Sequence, residues 1–469
     1  MFRRVLVANR GEVAARIIRT CKRMGIEVVA VATDVDADLS YLQDADAVVP
    51  LGHRRAYLDA DALIAAAEAE RCSAIHPGWG FLAENPTFAA RCEAARITFV
   101  GPDSATMRRM ADKVQARQTM AALGLAPTPG SDGPLRDAGE ARALAERIGL
   151  PVLLKAVSGG GGRGMRRVDD IDRLEHAFHE ASSEAAGAFG DPRMYLERLV
   201  ERSRHIELQI LGDGQRAVVL GERECSVQRR HQKLIEEAPS VAVPDDLRQR
   251  IRQRAEQACA ALGYRGAGTL EMLLDEDGHL WFMEMNTRLQ VEHTVTEMLT
   301  GLDLVEWQFR IAANEPLPAD LVGPDAPGGH AIECRINAED PGADFRPVPG
   351  RIERFEAPSG PGIRIDTHLR AGDRVSPHYD SMFAKLIVAG GSRQEAIDRM
   401  DAALAGLRVE GVPTTAPLHR AILAHPDFRA GDYDTHWLEQ ALPGLLARIS
   451  GGASPESGRT PHGTASNGA

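Results

Sequence analysis

The stretch RVLVANRGEVAARIIRTCKRMGIEVVAVAT, residues 4–33, settles the class of fold. Arg4 to Ala8 reads as a short apolar strand. Val13, Ile17, Cys21 and Met24 then recur at helical spacing. Glu12 in the first turn, Lys22 and Arg23 in the last, and Gly25 as the stop complete the signature of a helix. A second buried strand is predicted over Glu27 to Thr33. The alternation continues through an Ala-rich helix near Asp59 to Glu70, a strand at Ala74-Ile75 and another at Ile97 to Val100. Strands alternating with helices imply a parallel sheet covered on both faces, an α/β arrangement. The first strand–helix turn, Asn9-Arg10-Gly11-Glu12, carries one glycine. It lacks the G-x-G-x-x-G fingerprint, which speaks against a dinucleotide site.

Beyond residue 112 the texture changes. A Pro- and Gly-rich loop at 127–134 precedes a helix around Gly139 to Ile148, and from Pro151 to about Asn286 mostly strands and hairpins are predicted. A second loop-like stretch, 314–329, separates a strand-rich third region that ends in helices near 393–407 and 436–448. The last residues, from about 449 to 469, carry almost no large apolar side chains and are predicted to be a disordered tail. At 469 residues the chain has room for about three domains.

Four segments carry chemistry. Ser158 to Gly164 is a run of glycines between two strand patterns, 152–157 and 165–168. Gly160, Gly161 and Gly162 let backbone N–H groups close over phosphates, with Lys155 reaching in from the preceding strand; a plain hairpin tip is the competing reading. The hairpin 268–286 is sharper. A two-residue turn at Asp277-Gly278 places Glu271 opposite Glu284 and Thr269 opposite Asn286. The other face then pairs Leu274 with Trp281, Met272 with Met283 and Leu270 with Met285. Facing carboxylates repel, and a hard cation such as Mg²⁺ compensates them. Leu273 and Phe282 on that same face argue against a merely solvated surface. In the following segment, period two puts Arg288, Gln290 and Glu292 on one side, where a fork of donors, an amide and a base could hold a small planar anion. An ordinary surface ion pair is the alternative. Gln228 to Lys233 is a basic cluster, read either as cations for polyphosphate or as a strand end balanced by Glu236 and Glu237.

Composition sets limits on partners. A net charge of −12, with no aromatics interleaved in the basic cluster, argues against nucleic acid. No apolar run approaches the ~18 residues that cross a bilayer, which argues against a membrane. Six scattered cysteines without a C-x-x-C pair read as small buried hydrophobes, pointing to a reduced, cytoplasmic enzyme.

Together the segments VANRGEVAARIIR, AIHPGWGFLAEN, the glycine run from Lys155 to Met165, CSVQRRHQK, GYRGAGTLE, FMEMNTRLQVEHTVTE, ECRINAEDP and HYDSM resemble the biotin carboxylase family of ATP-grasp enzymes. They run in family order over nearly the whole folded chain. The resemblance implies a multidomain α/β and α+β protein. It has a Rossmann-like pre-ATP-grasp domain (1–112), an ATP-grasp domain (113–329) with a mobile lid at about 130–202, and a C-terminal mixed β-rich domain (330–448). It implies ATP contacts from Lys113, Lys155, Glu197, His205, Gln228 and His231, and Mg²⁺ or Mn²⁺ on Glu271, Glu284 and Asn286. Lys233, Arg288, Gln290, Val291 and Glu292 would surround bicarbonate, with Glu292 as base, and Arg335 would stabilise a biotin enolate. The implied partners are a biotin carboxyl carrier protein or domain, a second copy of the chain to make a homodimer, and a carboxyltransferase subunit. No lysine lies in an A-M-K-M context, so the carrier is expected on another polypeptide or a domain outside this sequence. Trp79 stands where the family commonly has tyrosine near the biotin entrance. Thr294 resembles pyruvate-carboxylase-type chains, whereas Glu236-Glu237-Ala238-Pro239 resembles the acetyl-CoA carboxylase type, so the final acceptor stays open. Another ATP-grasp ligase, or a carbamoyl-phosphate-type synthetase, is the alternative within the superfamily.

Overall fold

The computed structural model describes residues 1–158, 164–323 and 328–451. The glycines at 160–162 lie outside them, as do residues 452–469. The N-terminal region contains β1 (Arg4–Val7), α1 (Gly11–Met24), β2 (Glu27–Thr33), β3 (Ala47–Gly52), α2 (Ala60–Ala69), β4 (Ala74–His76), α3 (Pro86–Ala94), β5 (Thr98–Phe99) and α4 (Ser104–Ala111). Its five strands form one parallel sheet in the order β3-β2-β1-β4-β5. Helix α1 buries Val13, Ile17, Ile18 and Cys21 and stops at Gly25, whose φ of 69° is left-handed. The Gly25 N–H there donates to the Cys21 and Lys22 carbonyls, an end that a Cβ would strain.

Next come α5 (Lys113–Ala122) and α6 (Ala138–Ile148), then β6 (Val152–Ala156), β7 (Met165–Val168), α7 (Leu174–Phe189) and β8 (Met194–Arg198). The strands make a small antiparallel sheet, β7-β6-β8, with a core of its own from Leu144, Val152, Leu154, Phe178 and Leu196. The remainder supplies β9 (Arg204–Asp213), β10 (Ala217–Arg229), β11 (Gln232–Ala238), α8 (Asp245–Ala261), β12 (Arg265–Leu274), β13 (Leu280–Asn286), α9 (His293–Thr300) and α10 (Leu304–Ala312). It continues with β14 (His330–Asn337), β15 (Ile363–Thr367), β16 (Met382–Gly390), α11 (Arg393–Gly406), α12 (Ala416–Leu423), α13 (Pro426–Ala430) and α14 (Trp437–Gly451).

Eight of these strands form one antiparallel sheet, β13-β12-β9-β10-β11-β14-β16-β15. Strand β11 pairs directly with β14, so the sheet runs unbroken across the 314–329 connection. Among the described residues no helix is long and apolar enough to cross a membrane. All six cysteines are buried and unpaired, as small hydrophobes.

Three expectations are corrected. The region 151–286 contains α7 and α8 as well as strands; α8 buries only Ile251 and the small side chains of Ala255, Ala258 and Cys259, too weak an apolar stripe to stand out. Helix α14 runs through 449–451, and Ile449 packs on the core, so the expected tail begins too early. The β12–β13 turn is also one residue longer than expected. Asp275 N–H donates to His279 O (3.0 Å) and Gly278 N–H to Asp275 O (3.1 Å), which makes Glu276-Asp277-Gly278 the loop, with Gly278 at φ 80°. The pairing is consequently Leu274 with Leu280, Leu273 with Trp281 and Met272 with Phe282. A bulge at Met283 then restores the expected pairs Glu271–Glu284, Leu270–Met285 and Thr269–Asn286.

Phe282 is therefore not on the polar face. It is fully buried with Leu270, Met272 and Met285 against α5 and α8. Phe282→Ala is expected to cost about 3–5 kcal/mol in chemical denaturation, and truncating half-buried Met283 less than about 1.5 kcal/mol. Equal costs at the two positions would contradict the bulged register.

Candidate active site

The big sheet builds a polar floor from period-two strands. On β9, His205, Glu207 and Gln209 alternate with buried Ile206, Leu208 and Ile210. Cross-strand pairing lines up Glu284, Glu271 and Glu207 on β13, β12 and β9, with Arg223 next on β10. One step along, Asn286, Thr269 and Gln209 form a parallel row. Arg223 ties the rows together: it donates to Glu207 Oε2 (3.0 Å), Gln209 Oε1 (2.6 Å) and Thr269 Oγ1 (3.1 Å).

Carboxylates on neighbouring strands need cations, and the structure provides them. Lys233, at the start of β11, donates to Glu207 Oε1, to Glu292 Oε1 (2.7 Å) and to Glu271 Oε1 (3.4 Å). Burial pushes the Lys233 ammonium down, but Glu207, Glu271 and Glu292 outweigh it and hold the group well above its ordinary value. Burial likewise raises Glu271, yet Lys233 and His205 bring it down to about 2. His205 Nε2 lies 3.3 Å from Glu271 and 3.4 Å from Glu207. Burial and Lys233 oppose its charge, and the two carboxylates still carry it up to about 9. Glu284, at the rim, is 3.5 Å from Lys113 Nζ at the head of α5.

The 287–292 segment leaves β13 over this floor. It does not stay extended, as the period-two reading required. His293 N–H donates to Gln290 O (3.3 Å), and the chain turns at 291–292 into α9. The turn still delivers the predicted groups. Arg288 donates from Nη1 to Gln290 Oε1 (3.1 Å), from Nη2 to Asn286 Oδ1 (3.0 Å) and from Nε to Glu84 Oε2 (2.8 Å). Gln290 Nε2 (3.0 Å) and Asn286 Nδ2 (2.7 Å) both donate to Glu271 Oε1. Glu292 is fully buried, with Lys233 on Oε1 and Arg335 Nη2 on Oε2 (3.1 Å). Arg335, from β14, also donates through Nε to Glu236 Oε1 (2.6 Å). Burial raises Glu236 to about 7 against the pull of Arg335.

The remaining predicted residues are more dispersed. Lys155 pairs with Glu197, which also takes bonds from Arg117 Nη1 (2.7 Å) and Thr128 Oγ1 (3.0 Å). Buried Gln228 faces Lys233 across the β10–β11 ladder. His231 is exposed in the turn between those strands, where Arg230 (φ 47°) and His231 (φ 63°) are both left-handed. Arg229 and Arg230 are balanced by Asp344. Glu236 and Glu237, the expected counter-charges, instead hold Arg335 and the His330–Arg393 pair. Val291 is buried within the turn. Among the described residues no hydrogen bond or ring contact joins Trp79 to the cluster; its carbonyl accepts from Asn9 (2.8 Å). Sequence reasoning misses Glu207, Arg223, Glu236 and Arg117 as members of the site. Only the alternation over 204–210 carries a signal for one of them, Glu207.

Family models cover the chain in three consecutive pieces. The biotin carboxylase N-terminal domain matches 1–107, the carbamoyl-phosphate synthase L chain ATP-binding domain 112–320, and the biotin carboxylase C-terminal domain 333–440. A biotin carboxylase of Nostoc sp. is 48% identical over 94% of this chain and 99% of its own length. The chain belongs to the biotin carboxylase family. It is accordingly an enzyme, an ATP-dependent ligase with a biotin carboxylase fold. A pyruvate carboxylase subunit of Methanothermobacter thermautotrophicus is 45% identical over 96% of this chain and 92% of its own. The biotin carboxylase domain dimer of Hydrogenobacter thermophilus 2-oxoglutarate carboxylase, solved with MgADP, ADP and bicarbonate, superposes with a TM-score of 0.91. It is 45% identical over 95% of this chain and 99% of that one.

Proposed function

We propose that this site carboxylates biotin, presented on a carrier protein, at the expense of ATP and hydrogencarbonate. The supporting observation is Glu292, a buried carboxylate with Lys233 on one oxygen and Arg335 on the other, beside the Arg288–Gln290 pair. Glu292 takes the proton of hydrogencarbonate, held by Lys233, Arg288, Gln290 and Val291. The freed oxygen forms a bond to the γ-phosphorus while the bond to the ADP oxygen breaks, giving carboxyphosphate and ADP. Carboxyphosphate divides into CO₂ and phosphate, and the phosphate accepts the N1′ proton of biotin. Arg335 steadies the resulting enolate, which bonds to CO₂. Lys113, Lys155, Glu197, His205, Gln228 and His231 are assigned to the nucleotide, under the lid formed by β6–β8 with α6 and α7. A closed, cation-rich cavity both neutralises phosphoryl charge and keeps water from a labile mixed anhydride.

Glu271, Glu284 and Asn286 fit a divalent cation. They offer only oxygen donors, the set that suits Mg²⁺ or Mn²⁺, and Glu271 is held ionised. The cation would supply charge neutralisation at the phosphates, in the place of Lys113 at Glu284 and of Lys233 at Glu271. A dimer of this chain, a carboxyltransferase partner and a cytoplasmic location complete the reading. Relatives named for biotin, pyruvate and 2-oxoglutarate carboxylation each reach 45–48% identity, so the final acceptor is not assigned.

The test is ATP hydrolysis with hydrogencarbonate, with and without free biotin. Turnover that requires both supports the reading. Tight ATP binding with no turnover, or hydrolysis indifferent to hydrogencarbonate, would overturn it. In the same assay Glu284→Gln is expected to weaken Mg-ATP by about tenfold, and an unaltered titration would remove that residue from the metal site.

A further inference from the structure

Lys385 lies in the middle of β16, in the apolar run MFAKLIVAG, and its side chain is wholly buried. A lysine there needs a reason, since a buried ammonium persists only when paired and hydrogen-bonded. Lys385 Nζ donates to the Val291 carbonyl at 2.7 Å. Its ion-pair partner is Glu12 of α1, with Oε1 at 3.4 Å. Neither Glu12 oxygen accepts a hydrogen bond among the described residues. Lys385 therefore joins β16, the N-terminal helix and the turn that carries Glu292.

The register gives this contact its meaning. Lys385 stands directly across from Arg335 on β14, and Asp366 on β15 flanks it on the other side. Arg335 grips the Glu292 carboxylate, and its neighbour Lys385 grips the carbonyl of the peptide that leads into Glu292. A peptide unit is planar, so fixing its oxygen fixes the direction in which the Glu292 backbone departs. A charge-assisted bond holds that plane more firmly than a neutral one.

We infer that Lys385 is a positioning residue of the hydrogencarbonate site, pinning the 291–292 peptide so that the Glu292 carboxylate stays between Lys233 and Arg335. This rests on the reading of Glu292 given above. Glu12 serves as the counter-ion that keeps the ammonium buried.

The test uses the full chain and compares Lys385→Met, Glu12→Gln and the double variant by KM for hydrogencarbonate, KM for ATP, kcat and thermal unfolding. Lys385→Met is expected to lower kcat/KM for hydrogencarbonate by about 100-fold, the scale of a small misplacement at a reacting centre, with KM for ATP within about twofold. The double variant removes the Lys385–Glu12 ion pair as a unit. It is expected to regain the unfolding temperature that Lys385→Met loses and to keep the hydrogencarbonate defect, so it carries the test where the single variant does not fold. Glu12→Gln retains the bond to Val291 and is expected to stay within about threefold of wild type. Recovery of hydrogencarbonate kinetics in the double variant would overturn the inference, because Lys385 would then serve only to neutralise Glu12. An equal rise in KM for ATP, or Glu12→Gln as impaired as Lys385→Met, would overturn it too. Wild-type hydrolysis indifferent to hydrogencarbonate would refute the site reading itself, whereas a hydrogencarbonate-dependent wild type with an unimpaired Lys385→Met refutes the positioning role alone.

Discussion

Glu292→Gln is expected to abolish biotin-dependent turnover, by at least about 100-fold, while nucleotide affinity stays within about twofold. The amide keeps the length and planarity of the side chain and can still accept from Lys233. It cannot take a proton from hydrogencarbonate, and its NH₂ group would meet the guanidinium of Arg335, which now donates to Glu292 at 3.1 Å. The base function is lost outright, and the positive pair around it loses the charge that holds it in register. Nucleotide affinity is spared because the groups assigned to the triphosphate stand on other strands and on α5. Turnover within tenfold of wild type would exclude Glu292 as the base.

Lys233→Met is expected to strike both activity and stability. It leaves Glu207, Glu271 and Glu292 buried around a missing ammonium. Removing one partner from such a group costs about 3–5 kcal/mol, far more than a surface ion pair. The cost depends on pH. In the native protein Glu207 is held well below the ordinary carboxylate value of 4.5 and Lys233 well above the ordinary 10.5, so their pairing contributes fully between those values. It fades as pH falls through the folded carboxylate titration. The Lys233→Met variant lacks that pairing at every pH, so its deficit shrinks where the native pairing fades. The defect in denaturation free energy should therefore be larger at pH 7 than at pH 3. An equal defect at both would show that the three acids do not share this cation.

Much of this machinery is visible along the chain, and what is not visible has a physical cause. The opening strand–helix–strand is local: the apolar spacing of α1 and the glycine that stops it lie within one short stretch, and β2 has the limits read for it. The Glu271–Glu284 pair is legible for a weaker reason. A two-residue turn is one residue too short, and the bulge at Met283 happens to cancel the error where the acids stand, while Phe282 bears its full effect. Glu207 and Arg223 are harder to read because their roles come from neighbours on other strands. Arg335 and Glu236 meet across 99 positions of chain, which no spacing rule reaches. Arg288, Gln290 and Glu292 are grouped by a strand rule that fails at the 291–292 turn, yet the turn itself brings Glu292 to Lys233.

The hydrogen-bonded seam between Gln232–Ala238 and His330–Asn337 has an evolutionary corollary. Two halves stitched by backbone cannot be traded as interchangeable cartridges. Severing them would bare a raw flank on each, with unpaired amides and carbonyls free to seize any passing strand. Inheritance of this enzyme by shuffling has to move both halves at once, whereas the little β6–β8 leaf, with a core of its own, is the piece that can drift independently.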